Sequence, residues 1–204
     1  PDRELDIPHW REAWTHHNAC LAGYAKGKPV YMIEGNALWR RYWQARSGAS
    51  QDDLRQAAWA CVTGGASFNW CGHEGTGPLM AYGAQGLSFY RDINAYSKSA
   101  FQIDILSQIM DKELKFYNMS PSDSLLYGHD SHRVWCLSEH GKQYLVFSTK
   151  GAPFNLQLTP GKYKSNLWIN AESGIRKEIS SFKSHSGKIP LFTPPDTVSD
   201  WVLL

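Results

Sequence analysis

Glu34 is the residue in this chain most suited by type and setting to do chemistry. It follows Val30-Tyr31-Met32-Ile33, a β-branched and aromatic run typical of a strand buried on both faces. Gly35 comes next and lets the chain turn away. A carboxylate leaving the C-terminal end of a buried strand is where an α/β barrel sets its catalytic groups. The plainer alternative is a structural acid paired with Arg40 or Arg41. Further on, Ala66 to Cys71 reads as a second short buried strand that runs into Gly72-His73-Glu74-Gly75. Its C-terminal end delivers Trp70, His73 and Glu74. Trp70 offers a flat ring face, unless it simply fills the core. His73 and Glu74 offer hydrogen-bonding groups, and Glu74 is a candidate within this chain for a proton-donating acid beside Glu34, unless it is simply a solvated loop acid. Asn36, Trp39 and Arg40, just past Glu34, would line the same pocket, with Trp39, Tyr42 and Trp43 as an aromatic rim or as core.

The elements that must position these groups alternate. His9 to Ala25 reads as a helix with Trp10, Trp14, Leu21 and Tyr24 at helical spacing, stopped by Gly27, although His17 and Asn18 interrupt the stripe. Ser50-Gln-Asp-Asp53 resembles a capping box. The helix after it carries Leu54, Ala57, Ala58, Cys61 and Val62 on one face and ends at Gly64-Gly65. Helix, strand, helix, strand with short connections implies parallel strands whose C-terminal ends share one face. Gly77 to Ser97 reads as a loop. A helix from Ala100 to Leu114 follows, with Ile103, Leu106, Ile109 or Met110, and Leu114 on one side.

Near Pro121 the period changes from 3.6 to 2. Strands are expected at 133–138, 143–148, 154–158, 166–169, 176–182, 189–192 and 201–204, with turns at Gly141, Gly151 and Pro160-Gly161. That spacing reads as an antiparallel β-sandwich. The expected fold is therefore α/β plus all-β: residues 1–120 as the last βα units of a (β/α)8 TIM barrel, and 121–204 as the sandwich. A barrel needs eight strands and roughly 250 residues, so the rest is expected from an upstream segment or a second chain. The opening Pro1-Asp2-Arg3-Glu4 lacks an initiator Met and a signal peptide, which fits a fragment or a processed product.

Composition narrows the function classes. Of 204 residues 42% are hydrophobic and 20% charged, ordinary for a globular chain. A net charge of +2 without a basic stripe argues against nucleic acid, and no apolar run reaches the ~20 residues of a membrane helix. Cys20, Cys61, Cys71 and Cys136 lack metal-ligand spacing, and three of them sit in apolar surroundings suited to small core residues. His16-His17 is a poor chelating pair on a helix, and His129-Asp130-Ser131-His132 has no nearby cysteine. No metal site or cofactor is expected, and neither a phosphate loop nor a nucleophile elbow is present. Nine tryptophans and ten tyrosines suit a large core, and equally the stacking of ring faces on sugars.

The residues KPVYMIEG followed by LRQAAWACVTGGASFNW resemble the last two βα units of clan-A-type glycoside hydrolase barrels, and most closely the apiosidase-like family of bacterial glycosidases. The tail resembles the collagen-binding-type β-sandwich that follows those barrels. It does so through Tyr144-Leu-Val-Phe147, Gly161-Lys-Tyr163, Trp168-x-Asn170-x-x-x-Gly174, Phe192-x-Pro-Pro195 and Asp200-Trp-Val-Leu-Leu204. The resemblance implies a retaining glycosidase with Glu34 as nucleophile and an acid/base from the fourth barrel strand, which no residue here supplies. It also implies a plant or microbial polysaccharide or oligosaccharide as substrate and a secreted or periplasmic location. Where relatives carry a second acid, this chain has Asn36-Ala-Leu-Trp39-Arg40. The competing reading is a non-catalytic carbohydrate-binding or surface-attachment protein on the same fold. A weaker third is a structural module whose barrel remnant contacts a partner.

Overall fold

The computed structural model describes residues 13–32, 51–68, 93–163 and 166–204. The chain divides into two units, Pro1–Val62 with Ala66–Asp104, and Thr63–Gly65 with Ile105–Leu204. The division falls inside a helix, whereas the change of hydrophobic period lies further on, at Pro121.

The N-terminal elements are α1 (Ala13–Tyr24), β1 (Val30–Met32), α2 (Gln51–Thr63) and β2 (Ala66–Phe68). β1 and β2 pair in parallel, with Val30 opposite Ala66, Tyr31 opposite Ser67 and Met32 opposite Phe68. The alternation of helix and strand demanded that direction. The buried face of α1 differs from the expected stripe. Ala13, His17 and Cys20 are buried, while Trp14 and Leu21 are half-buried and Tyr24 is exposed. Trp10 lies outside the described residues. His17 can occupy the core because its Nδ1 donates to the Ala60 carbonyl oxygen at 3.0 Å, so no polar group is stranded. A second correction concerns β1. Val30 and Phe68 pack with Cys20, Cys61 and Ala66, but Tyr31 is 59% exposed. Val30 lies on the covered face and Tyr31, which alternates with it, on the open one, so β1 is not buried on both faces.

The third helix, α3 (Ile93–Gln108), begins earlier than expected, so residues 93–97 are helical and not loop; a π-helical turn, Ile109–Glu113, extends it. Its buried residues are Gln102, Ile105, Leu106, Ile109 and Met110, an i, i+3, i+4, i+7, i+8 stripe. Ile103 is only half-buried, because Gln102 takes the inward position and accepts from Arg55 at 3.2 Å.

Beyond α3 the chain forms antiparallel sheets. The strands are β3 (Ser120–Pro121), β4 (Leu126–Tyr127), β5 (Val134–Glu139), β6 (Gln143–Ser148), β7 (Phe154–Leu156), β8 (Gly161–Tyr163), β9 (Asn166–Asn170), β10 (Arg176–Ile179), β11 (Phe182–Ser184), β12 (Leu191–Phe192) and β13 (Trp201–Leu203). A six-stranded sheet has the order β10-β9-β13-β6-β5-β3, a three-stranded one β12-β7-β4, and β11 pairs with β8. The expected strand over 176–182 is in fact two, β10 and the start of β11. Gly161, expected with Pro160 as a turn, instead begins the strand β8, because β11 supplies a partner for it.

One core cluster joins these sheets. Val134, Cys136, Tyr144, Val146, Trp168, Trp201 and Leu203 of the large sheet pack with Leu126, Phe154, Leu156 and Phe192 of the three-stranded one. Phe154 stacks on Phe192 with ring centroids 5.7 Å apart and meets Trp168 edge-on at 6.0 Å. The alternate residues Trp135, Leu137, Leu145, Phe147, Ile169 and Val202 are also buried. The middle strands therefore read as continuous apolar runs instead of alternating ones.

Two side chains hold the turns. Asn170 Oδ1 accepts from the backbone N–H of Glu172 and Ser173, at 3.0 and 2.8 Å, shaping the β9–β10 turn. Gly151 sits at φ +55, where an added Cβ would stand 1.8 Å from the Asp196 carbonyl oxygen; only glycine tolerates both. Asn170→Ala is expected to cost about 1–2 kcal/mol of stability through the two orphaned donors. Gly151→Ala should cost about 2 kcal/mol or more, because strain and overlap add. Urea unfolding followed by tryptophan fluorescence checks both, and a Gly151→Ala protein as stable as the parent would contradict this packing.

Candidate functional site

The seven residues the sequence proposes for a site, Glu34, Asn36, Trp39, Arg40, Trp70, His73 and Glu74, lie outside the described residues. What the structure gives is the frame they grow from. Glu34 comes two positions after Met32 and Trp70 two after Phe68, and Met32 and Phe68 are paired residues of parallel neighbours. The two candidates thus follow matching ends of adjacent strands. The open face of that pair carries Tyr31 and Ser67, both exposed.

A second candidate lies wholly within the C-terminal unit. A recess of about 290 Å³ opens among Leu114, Tyr144, Leu158, Tyr163, Phe182 and Phe192, with Glu113, Lys142 and Gln143 on its rim. Its polar groups are already engaged. Glu113 is paired with Arg176, Oε2 to Nη1 at 2.8 Å. Gln143 exchanges hydrogen bonds with the backbone of Lys115, accepting at 3.1 Å and donating at 3.0 Å. The Tyr144 hydroxyl accepts from the Gly141 N–H at 2.9 Å, and the Tyr163 hydroxyl donates to the Thr159 carbonyl at 3.0 Å. Burial pushes the Tyr163 hydroxyl above the ordinary phenol range, outweighing its bond to Thr159. Glu113 is the sole carboxylate in this lining among the described residues. The recess can therefore bind apolar surface, but it holds no carboxylate pair of the kind hydrolysis needs. Sequence reasoning did not gather these residues, because they come from separate strands and share no local spacing.

Two of the histidine-bearing segments are held by structural contacts. His17 is turned into the core. In the other cluster, Asp130 Oδ1 accepts from the His132 N–H at 2.9 Å and the Ser131 carbonyl accepts from the Trp135 indole at 3.0 Å, an arrangement that shapes the turn into β5. Among the described residues no group of three or more His, Cys, Asp or Glu gathers to hold a metal ion, and no helix is long and apolar enough to cross a membrane.

Comparison with known proteins gives the fold a context. Residues 121–204 match the family described as "Putative collagen-binding domain of a collagenase". The whole chain superposes on a crystal structure of a glycoside hydrolase family 5 protein from Bacteroides vulgatus ATCC 8482, with a TM-score of 0.70 and 20% identity, covering 100% of this chain and 46% of that one. A second solved structure, described as "Glycoside hydrolase", gives a TM-score of 0.69 at 17% identity and covers 100% of this chain and 47% of that one. At such identities the likeness is one of fold. The chain spans less than half the length of either structure. No curated protein matches the sequence.

The expected absence of a metal site is open to direct test. Thermal unfolding with and without EDTA is expected to superimpose, while His17→Ala lowers stability by about 1–3 kcal/mol through the lost bond and the space left behind. A chelator-induced drop in the unfolding midpoint would reverse this assignment.

Proposed function

We propose that this chain is the C-terminal portion of a retaining glycoside hydrolase of the apiosidase-like kind: the last βα units of a (β/α)8 barrel followed by an antiparallel β-sandwich. The observation that carries the reading is the parallel register of β1 and β2, with Glu34 and Trp70 each following the end of its strand by the same two positions. In such a barrel, groups beyond neighbouring strand ends face a common pocket. The fold likeness to two solved glycoside hydrolases over the full length of this chain supports it. So does the open face of β1–β2, which further barrel strands would cover.

In this reading Glu34 attacks the anomeric carbon while a carboxylic acid from an upstream barrel strand, outside this sequence, protonates the leaving oxygen. The two carboxyl groups would stand about 5–5.5 Å apart. Loss of the leaving group gives a glycosyl ester on Glu34. The upstream carboxylate then takes a proton from water, which hydrolyses the ester with net retention. Trp70 stacks on the sugar bound there, while Asn36, Arg40, His73 and Glu74 bond its hydroxyls and Trp39 forms the rim. The substrate is a plant or microbial polysaccharide or oligosaccharide, met outside the cytoplasm.

The second reading is a carbohydrate-binding or surface-attachment protein that keeps the fold without turnover. The family match over residues 121–204 and the apolar recess of the C-terminal unit favour it. The two separate on one experiment. In the complete protein Glu34→Gln is expected to lower kcat on a cleavable glycan by on the order of 10³-fold or more, as loss of a covalent nucleophile does elsewhere. With Glu34→Ala, azide should restore product of the opposite anomeric configuration, read by NMR. Unchanged turnover in Glu34→Gln would remove the hydrolase reading as built here. Glycan binding without turnover in the parent protein would favour the second.

A further inference from the structure

Cys20 of α1 and Cys61 of α2 are both thiols here. They are 1% and 0% exposed and share one small cluster with Ala66, against which Val30 and Phe68 pack. Their approach is fixed from two sides. One turn before Cys20, the His17 ring donates to the carbonyl of Ala60, the residue preceding Cys61. Just after Cys20, Gly23 lets α1 close on β1, since a Cβ there would stand 2.8 Å from Val30 Cγ2. Interaction with Cys61 holds Cys20 below the ordinary thiol range against the opposing effect of burial, while Cys20 and burial together raise Cys61.

We propose that Cys20 and Cys61 are the site of a disulfide that links α1 to α2 when the protein meets an oxidising small-molecule disulfide. The Cys20 thiolate attacks one sulfur of the oxidant, forms a mixed disulfide and releases one oxidant thiolate. The Cys61 thiolate then attacks Cys20 Sγ, forms the Sγ–Sγ bond and expels the second. The two protein thiols give up two protons and two electrons, and the oxidant is reduced to two thiols. A disulfide needs Cβ atoms about 4 Å apart, and both thiols lie in one small buried cluster whose helices are tied by the His17–Ala60 bond. Burial means that the exchange proceeds as the helices dock or briefly open, after which the bond is shielded from reductants.

The test equilibrates the native protein across ratios of glutathione disulfide to glutathione, blocks remaining thiols by alkylation, and maps peptides by mass spectrometry. The expected result is a Cys20–Cys61 linked peptide, lighter by two hydrogens than its separate parts and accumulating with a single midpoint. Oxidation should also raise the thermal unfolding midpoint by several degrees in the parent protein, a rise that Cys20→Ala and Cys61→Ala abolish. The peptide map needs only the parent protein, so a variant that fails to fold leaves the test intact. Both residues alkylated at every ratio would overturn the proposal. Linkage of either to Cys71 or Cys136, or glutathione adducts without a protein cross-link, would overturn it equally.

Discussion

The C-terminal unit depends on the placement of its last strand. β13 lies between β6 and β9, so the final residues of the chain join the β5–β6 hairpin to β9–β10. Val202 faces Phe147 on one side and Ile169 on the other, and Trp201 and Leu203 reach the core on the opposite face. All three residues are at most 5% exposed. Remove β13 and the large sheet splits into a two-stranded piece, β10–β9, too small to be stable alone, and the three-stranded β6–β5–β3. The neighbouring turns serve this strand. Asp200, itself buried, accepts from the Lys150 N–H at 2.9 Å, and its carbonyl accepts from Ala171, tying both flanking loops to the start of β13.

A different constraint governs the N-terminal elements. Among the described residues, two parallel strands and two helices leave Tyr31 exposed on one face. Parallel sheets are stable when both faces are covered. The covered face is held by small groups, Cys20, Cys61 and Ala66, which allow a close helix–strand approach. A buried histidine bonded across the two helices sets their register. Small residues allow the close approach in this cluster, while Leu54 and Trp59 of α2, both fully buried, contribute the large apolar side chains.

The segment between the two regions is tied down by polar contacts. The pair between Glu113 and Arg176 and the exchange between Gln143 and the Lys115 backbone fix the chain beyond α3 against β6 and β10. Surface pairs of this type contribute little individually. Acting together over three residues they hold Leu114 at the wall of the recess.

Much of the framework was legible in the sequence. The parallel direction of β1 and β2, the helix over 51–63, and strands β5, β6, β9 and β13 follow from period, glycine stops and apolar runs, because those signals are local. The inward face of α1 was not legible. A histidine on a helix looks polar until a carbonyl of another helix, 43 residues away in sequence, accepts its proton. The exposure of Tyr31 was hidden for a related reason: a strand's composition suggests burial, but whether its second face is covered depends on which other elements are present. β8 was not read as a strand, and Gly161 at its start read as turn, because its partner β11 comes some twenty residues later. The recess could not be read at all, since its walls come from strands brought together only by folding. The sequence by itself determined which segments form helices and strands and which residues, Glu34 foremost, have the chemistry for a site. Tertiary structure decided which faces are buried, which thiols meet and where a cavity opens, because those depend on contacts between residues far apart in the chain that local spacing does not encode.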